Sequence, residues 1–345
     1  MRNHIGILAC LLILGCFVGC ASKEEQLKLA MQAIENQDYE TALATLETAE
    51  QAGEDARFIA RARGVAYIGL TRYEEAAQEL ENALALGNGH LHDIDFDMNY
   101  YLAVAYTKQG LFQKAEQVYD AILALRPDEV DATFLRGNVR LEQGRFEQAQ
   151  EDFARSLRLD ENNTTRRIAI FEALLEHGYQ EESSLLLEEA LASGKDKMKA
   201  GELGRIYFYL EDYEQAAAYL EDARSTKDTL IYLYLGKSYE EMGEYNYAAS
   251  VYNSYLVEVG NNARIQNQLG LCELARENYD AALEAFRSGV ALADAENMQA
   301  LSFIEIVACE YTGDFEQART LLQSYITKYP DDQNAKRELD FLQTR

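Results

Sequence analysis

The segment YLYLGKSYEEMGEYNYAASVYNSYL, residues 232–256, decides the fold of this chain. A second segment, YLAVAYTKQGLFQKAEQVYDAILALRP at residues 101–127, has the same order of small, aromatic and turn residues. In each segment a glycine ends one helical pattern and an aromatic residue begins the next. Both segments therefore predict a helix, a tight turn and a second helix.

The same pattern recurs along most of the chain. A small residue follows an aromatic residue near the start of each second helix, and most intervals between these small residues are close to 34 residues. The series is Ala42, Ala76, Ala115, Ala149, Ser183, Ala216, Ala248, Ala282 and Ala318. A period of this length predicts stacked helix pairs, in which each pair is stabilised by its neighbours.

Further positions make the pattern resemble the tetratricopeptide repeat (TPR) family from about residue 26 to Pro330. Small residues within the first helices, each able to admit a neighbouring helix, are Gly64, Ala103, Gly137, Gly204, Gly236 and Gly270. The resemblance implies an all-α, right-handed superhelical solenoid of about nine repeats over residues 26–330. It also implies a C-terminal capping helix within residues 331–345. The two prolines, Pro127 and Pro330, each close a unit, and no linker interrupts the array.

Three units depart from the pattern, and one of them is the first unit, whose first helix is weak. The fifth unit, residues 164–193, has Phe171 where a small residue is expected and Ser183 in place of alanine. The ninth unit has Ile306 and Cys309 at the positions of the glycine and the tyrosine. Deviating end units are typical of caps, whereas a deviating central unit leaves a kink in the array as an open alternative.

The N-terminus has the pattern of an export signal. Arg2 precedes an apolar run over residues 5–18 that is shorter than a membrane-spanning helix requires. Residues 17–20, Phe-Val-Gly-Cys, resemble the lipobox of bacterial lipoproteins, which implies a signal peptide at 1–19 and diacylation of Cys20. Cys16 is the alternative lipobox cysteine, and an ordinary apolar N-terminus is a further alternative. Residues 20–25 would then form the anchor and a short tether.

The resemblance to lipoproteins also bears on location. Ala21 follows the proposed anchor, where an aspartate would favour retention at the inner membrane of a two-membrane bacterium. Its absence favours the periplasmic side of the outer membrane. In a one-membrane bacterium the same sequence implies the outer face of the cell membrane.

The charge balance limits the class of partner. The chain has 59 acidic and 32 basic residues and a formal net charge of −27. Nucleic-acid binding requires clustered Lys and Arg, so this composition argues against it. Basic protein segments are favoured because the field attracts them. The alternative is that acidity only keeps the protein soluble.

No motif for catalysis or a cofactor occurs, so we expect a protein that is not an enzyme and holds neither cofactor nor metal. The insertion at 87–96 contains His90, His92, Asp93 and Asp95, which a transition metal would accept as ligands. A solvated loop with a helix N-cap is the alternative that we favour. Cys272 and Cys309 lack metal-ligand spacing; they are predicted to be buried thiols, with a disulfide as the alternative.

The TPR family commonly binds peptides or helices along the inner face of the array. The resemblance maps that face onto residues of the first helices, although packing against the next helix is an equally good account of several of them. They are Tyr100, Phe134, Asn138, Arg205, Phe208, Tyr209, Tyr234, Lys237 and Tyr311. The set that clamps a C-terminal carboxylate in some members is not reproduced, since Ala169 and Met198 occupy two of its positions.

Together these features predict a membrane-anchored, extracytoplasmic scaffold that binds other proteins through its concave face. A more specific alternative is an assembly factor for outer-membrane proteins, pili or the cell-wall synthesis machinery. A remote alternative is a metal-dependent enzyme that uses the 87–96 insertion.

Overall fold

The structure, a computed structural model, describes residues 24–161, 163–292 and 298–344. The predicted signal peptide and Cys20 lie outside these residues. Within them every regular element is a helix, which confirms the all-α prediction. The described residues divide into two compact units, 24–152 and 153–344, and the division falls inside one helix.

The first unit contains the first seven helices and the first half of the eighth, arranged as consecutive pairs. The helices are α1 (Glu25–Glu35), α2 (Tyr39–Gln51), α3 (Ala56–Gly69), α4 (Tyr73–Ala85), α5 (Asp93–Lys108), α6 (Phe112–Leu125), α7 (Val130–Glu142) and α8 (Phe146–Leu159). The 87–96 insertion forms the connection before α5 and the first residues of that helix.

The second unit continues the same succession of pairs and ends with one single helix. Its helices are α9 (Thr164–Glu176), α10 (Gln180–Gly194), α11 (Ala200–Tyr209), α12 (Tyr213–Ala223), α13 (Thr229–Glu241), α14 (Tyr245–Glu258), α15 (Ala263–Ala275), α16 (Tyr279–Val290), α17 (Met298–Tyr311), α18 (Phe315–Lys328) and α19 (Gln333–Leu342). Short 3-10 helices, Lys195–Lys197 and Arg224–Thr226, follow α10 and α12.

The two helices of a pair approach each other at the small residues that the sequence places in the first helix. A Cβ added at Gly236 would lie 2.3 Å from the Tyr252 ring, and one added at Gly64 would lie 2.6 Å from Leu80 Cγ. Both distances are far below van der Waals contact. These glycines are therefore required by the close approach of the helices, as the pattern predicted.

The repeating small residues near the start of the second helices are all buried. All nine members of the series from Ala42 to Ala318, including Ser183, have no exposed surface. Ala49, Ala83, Ala190 and Ala223, near the ends of second helices, are also buried and let the next pair dock. The register assigned from the sequence is therefore the register of the packing.

A residue in the left-handed conformation joins the helices of each pair in the described chain. Five of these nine turns have glycine there: Gly110, Gly144, Gly178, Gly243 and Gly313. The other four have Gln37, Thr71, Glu211 and Glu277, with φ between 58° and 61°. The turn geometry is thus common to all nine pairs, although the residue type is not.

The last helix, α19, covers the end of the second unit. Ala335 and Leu342 are buried in the same cluster as Leu322 of α18. The Tyr325 hydroxyl donates a hydrogen bond of 2.8 Å to Asp332, the residue that caps α19. Among the described helices, none combines the length and the apolar character that crossing a bilayer requires.

Candidate functional site

The first unit has an open groove between two first helices, α5 and α7. Its volume is about 420 Å³. We call it the acidic groove, and its walls are Asp97, Tyr100, Tyr101, Asp131, Phe134 and Leu135. Two of the predicted binding residues, Tyr100 and Phe134, therefore lie in one concave surface that also has two carboxylates.

The charges around the acidic groove are partly organised by one arginine. Arg61 of α3 donates from Nε to Asp97 Oδ2 at 2.8 Å, and its guanidinium lies 5.9 Å from the centre of the Tyr101 ring. Asp97 keeps 40% of its side chain exposed in this pair. Burial, together with the charges of Glu129 and Asp131, raises the pKa of Tyr100, so its phenol stays protonated.

Asn138 lies on α7, about one turn beyond Phe134. Its side chain is partly buried, and its Oδ1 atom has no hydrogen-bond partner among the residues that the structure describes. A buried amide oxygen without a partner is uncommon, because desolvation is then uncompensated. Asn138 therefore retains an acceptor that a bound chain or a water molecule would satisfy.

The second unit brings four other predicted residues together. The ring of Tyr234 on α13 lies 5.0 Å from that of Phe208 and 5.5 Å from that of Tyr209, both on α11. The guanidinium of Arg205 lies 5.3 Å from the centre of the Tyr234 ring. We call Glu172, Arg205, Phe208, Tyr209 and Tyr234 the aromatic cluster.

Hydrogen bonds at Glu172 of α9 hold the aromatic cluster in place. The Tyr209 hydroxyl donates to Glu172 and is also bonded to the Tyr234 hydroxyl, which donates to Glu172 Oε1 at 3.2 Å. Arg205 Nη2 lies 3.9 Å from the same carboxylate oxygen. Burial and the neighbouring Glu172 raise the pKa of Tyr209. Tyr234 is 6% exposed, so its role is to support the partly exposed Arg205, Phe208 and Tyr209.

The two remaining predicted residues lie apart from these interactions. Lys237 is on α13, directly after Gly236, and is partly exposed. Tyr311, at the end of α17, is 58% exposed and stacks on Tyr279 at a centroid distance of 5.6 Å and an interplanar angle of 11°.

Comparison with known proteins identifies the repeat. Family models described as tetratricopeptide repeat match residues 27–90, 61–130, 100–164, 202–263, 233–297 and 295–332. The chain belongs to the tetratricopeptide repeat family. The TPR matches leave out residues 165–201, which include most of the fifth unit with its atypical Phe171 and Ser183.

Two solved structures are similar to this chain. The crystal structure of yeast Tom70 is 14% identical, with a TM-score of 0.54, and the match covers 92% of this chain and 80% of Tom70. A TPR protein from Parabacteroides merdae ATCC 43184 is 17% identical, with a TM-score of 0.46 and coverage of 81% and 96%. At these identities, the Tom70 match shows the fold alone.

Sequence reasoning missed the carboxylates of the acidic groove and of the aromatic cluster. Asp97 and Asp131 each lie three residues before a predicted aromatic residue, and they occupy equivalent repeat positions. Glu172 occupies the repeat position of Asn138 and Arg205. The repeat register was the signal that would have found them, because equivalent positions in successive first helices adjoin in a stacked array.

Both acidic residues of the 87–96 insertion, Asp93 and Asp95, are ion-paired with arginines. Asp95 is ion-paired with Arg57, and its Oδ2 accepts a 2.8 Å hydrogen bond from the His92 amide at the start of α5. Among the described residues, no group of three or more His, Cys, Asp and Glu side chains has metal-binding geometry. Cys272 and Cys309 are free and buried, and burial raises the pKa of the Cys272 thiol to about 12.

Proposed function

We propose that this TPR chain is a non-catalytic scaffold that binds basic segments of other proteins and is held at a membrane by lipid on Cys20. The acidic groove is the observation that carries the proposal. It combines carboxylates with aromatic side chains on two successive first helices, and it is open to a partner. The residues that contribute most to binding at protein interfaces are enriched in Trp, Tyr and Arg.

The chemistry of the acidic groove favours a cationic partner. Asp97 and Asp131 line the groove together with the rings of Tyr100 and Phe134. A Lys or Arg side chain entering the groove would meet carboxylates and aromatic faces at once, which gives ionic and cation–π attraction. The net charge of −27 would speed the encounter through electrostatic steering.

The aromatic cluster supports a second contact surface of the same type. Glu172 fixes the hydroxyls of Tyr209 and Tyr234, so the exposed parts of Arg205, Phe208 and Tyr209 are held before a partner arrives. Preorganised side chains lose less conformational entropy on binding than mobile ones do. This surface is therefore suited to anchoring a partner side chain.

Site-specific photo-crosslinking tests the binding surface. A crosslinking amino acid at Phe134 in the membrane-bound protein should capture a partner, and one at Tyr247 should not. Tyr247 is the matched control because it is an aromatic residue of a second helix, α14, and is 61% exposed. Capture at both positions, or at Tyr247 alone, would contradict the assignment of the groove.

Binding of a labelled Lys-rich peptide tests the charge preference. The double variant Asp97→Asn, Asp131→Asn and the variant Phe134→Ala should each weaken binding by about tenfold or more. The control Tyr247→Ala should leave it unchanged. Equal binding of a peptide in which Glu replaces every Lys would contradict the preference for a basic partner.

Anchoring needs a separate test. Two acyl chains hold a protein stably at a bilayer, whereas one chain binds marginally. After export, Cys20→Ser should release the protein from the membrane fraction, and Cys16→Ser should not. Mass spectrometry of the mature N-terminus should show an acylated cysteine. Full membrane association of the Cys20→Ser protein would contradict the proposal that lipid on Cys20 anchors the chain.

A further inference from the structure

A cavity in the second unit is lined mainly by cationic side chains, although the chain as a whole is strongly acidic. Its volume is about 360 Å³, which is within the range of small-molecule sites. Three cationic side chains line it, each from a separate element: Arg158 from α8, Arg167 from α9 and Lys197 from the 3-10 helix after α10. Glu161 is the acidic residue of its lining.

The three cations are not engaged with carboxylates of the described chain. Arg167 donates a long hydrogen bond of 3.4 Å to the main-chain oxygen of Glu161. The neighbouring ion pair is made by Arg166, which lies 3.9 Å from Asp160 and is not part of the lining. In a chain with 59 acidic residues, three adjacent cations without ion-pair partners are unexpected from composition alone.

Two other features of the cavity wall suit an anion with an organic part. The cavity includes Thr164, the first residue of α9 and 4% exposed, so the positive end of that helix lies at the wall. Leu157, Ala190 and Met198 form an apolar portion of the same wall. One part of the cavity wall is therefore positively charged, and another part is apolar.

We propose that this cavity binds a small organic phosphate. Two guanidinium groups and one ammonium provide enough donors for a doubly charged phosphate, and guanidinium groups match its oxygens in bidentate geometry. A bare phosphate would leave most of a cavity of about 360 Å³ unfilled. The apolar wall would contact the organic portion of the ligand. This proposal is independent of protein binding at the acidic groove.

Isothermal titration calorimetry on the full chain tests the proposal, with phenyl phosphate as the probe. Inorganic phosphate tests the contribution of the organic part, and succinate tests the preference for phosphate over a dicarboxylate. We expect one phenyl phosphate to bind per chain, more tightly than either of the other anions. Binding should weaken as salt is added, because screening reduces attraction between charges.

Variants of the cavity localise the site. Arg158→Gln and Arg167→Gln should each weaken phenyl phosphate binding by about tenfold or more, since each removes charged hydrogen bonds. Lys336→Gln is the matched control, because it removes one positive charge from an exposed position of α19 that does not line the cavity. It should bind as the unchanged protein does. Circular dichroism should show the same helix content in all variants, and Lys197→Gln replaces any variant that unfolds.

The opposite results would overturn the proposal. The proposal is wrong if millimolar phenyl phosphate gives no heat of binding. It is also wrong if the Lys336→Gln control binds phenyl phosphate as weakly as the cavity variants do, or if succinate binds more tightly than phenyl phosphate. Equal affinity for inorganic and phenyl phosphate would refute the role of the apolar wall and with it the organic part of the ligand.

Discussion

Replacing Asp152 with asparagine should destabilise the first unit far more than the same replacement at Asp120. Both carboxylates bind the same guanidinium, and Arg136 lies 2.7 Å from an oxygen of each. They differ in burial: the Asp152 side chain is 5% exposed, and that of Asp120 is 50% exposed. Asp152 also accepts a hydrogen bond of 2.8 Å from Arg140.

The difference in burial sets the expected magnitudes. Asp152→Asn keeps the side-chain volume but leaves the positive charges of Arg136 and Arg140, whose side chains are 15% and 16% exposed, without their shared anion. Breaking a buried ion pair by removing one partner costs about 3–5 kcal/mol. Glu116 still binds Arg140 and Asp120 still binds Arg136, so we expect the lower end, about 3 kcal/mol. An exposed pair such as that of Asp120 contributes about 0.2–1 kcal/mol.

Urea denaturation followed by far-UV circular dichroism measures both free energies of unfolding. The comparison requires equal slopes of free energy against urea concentration, because a changed slope reports a changed amount of exposed surface. Added salt should reduce the effect of Asp120→Asn and leave most of the effect of Asp152→Asn. If Asp152→Asn cost less than about 1 kcal/mol, or no more than Asp120→Asn, the argument from burial would be refuted.

Three further predictions follow from packing and titration. Ala248→Leu should lower stability by about 1–3 kcal/mol in thermal unfolding, because Ala248 is fully buried. The control Ser250→Leu, at an exposed position two residues further along the same helix, should not lower it. Burial and the Glu338 carboxylate raise the pKa of Glu310 to about 7, above the usual value of 4.5. The folded state then holds a proton that the unfolded state releases, so stability should fall as pH rises from about 4.5 to 7, and Glu310→Gln should flatten that profile. The Cys272 thiol, with its pKa raised to about 12, should react with a thiol reagent only when urea unfolds the protein; rapid labelling of the native state would contradict its burial.

The helix pairs could be predicted from the sequence because each pair repeats the same steric requirement. Gly236 faces Tyr252 and Gly270 faces Phe286 at distances that no larger residue tolerates, so the pattern of small residues is forced by the packing. Ser183 was recognised as an exception to alanine, and it is nevertheless fully buried at the same position. Its hydroxyl donates a 2.9 Å hydrogen bond to the Gln180 carbonyl, which compensates its burial.

The candidate site was less predictable because its chemistry depends on residue types that are abundant in the chain. Tyr100 and Phe134 follow from their repeat positions. Residue type does not distinguish Asp97 and Asp131 among 59 acidic residues, and only their equivalent repeat positions do. The cationic cavity could not be predicted from the sequence either, since Arg158, Arg167 and Lys197 belong to three elements and share no spacing. Sequence periodicity reports contacts within the repeat, whereas the cationic residues of this cavity follow no repeat spacing.

The left-handed turns that join paired helices differ from one another in their tolerance of mutation. In the turns with Gly110 or Gly243, any added side chain would introduce strain into a backbone that at present has none. In the turns with Thr71 or Glu277 the chain already bears that strain, roughly 1–2 kcal/mol for a residue in this conformation. Glycine at those turns would relieve it without altering any interface between helices. Stability in this protein can therefore be adjusted one turn at a time, leaving the acidic groove and the aromatic cluster unchanged.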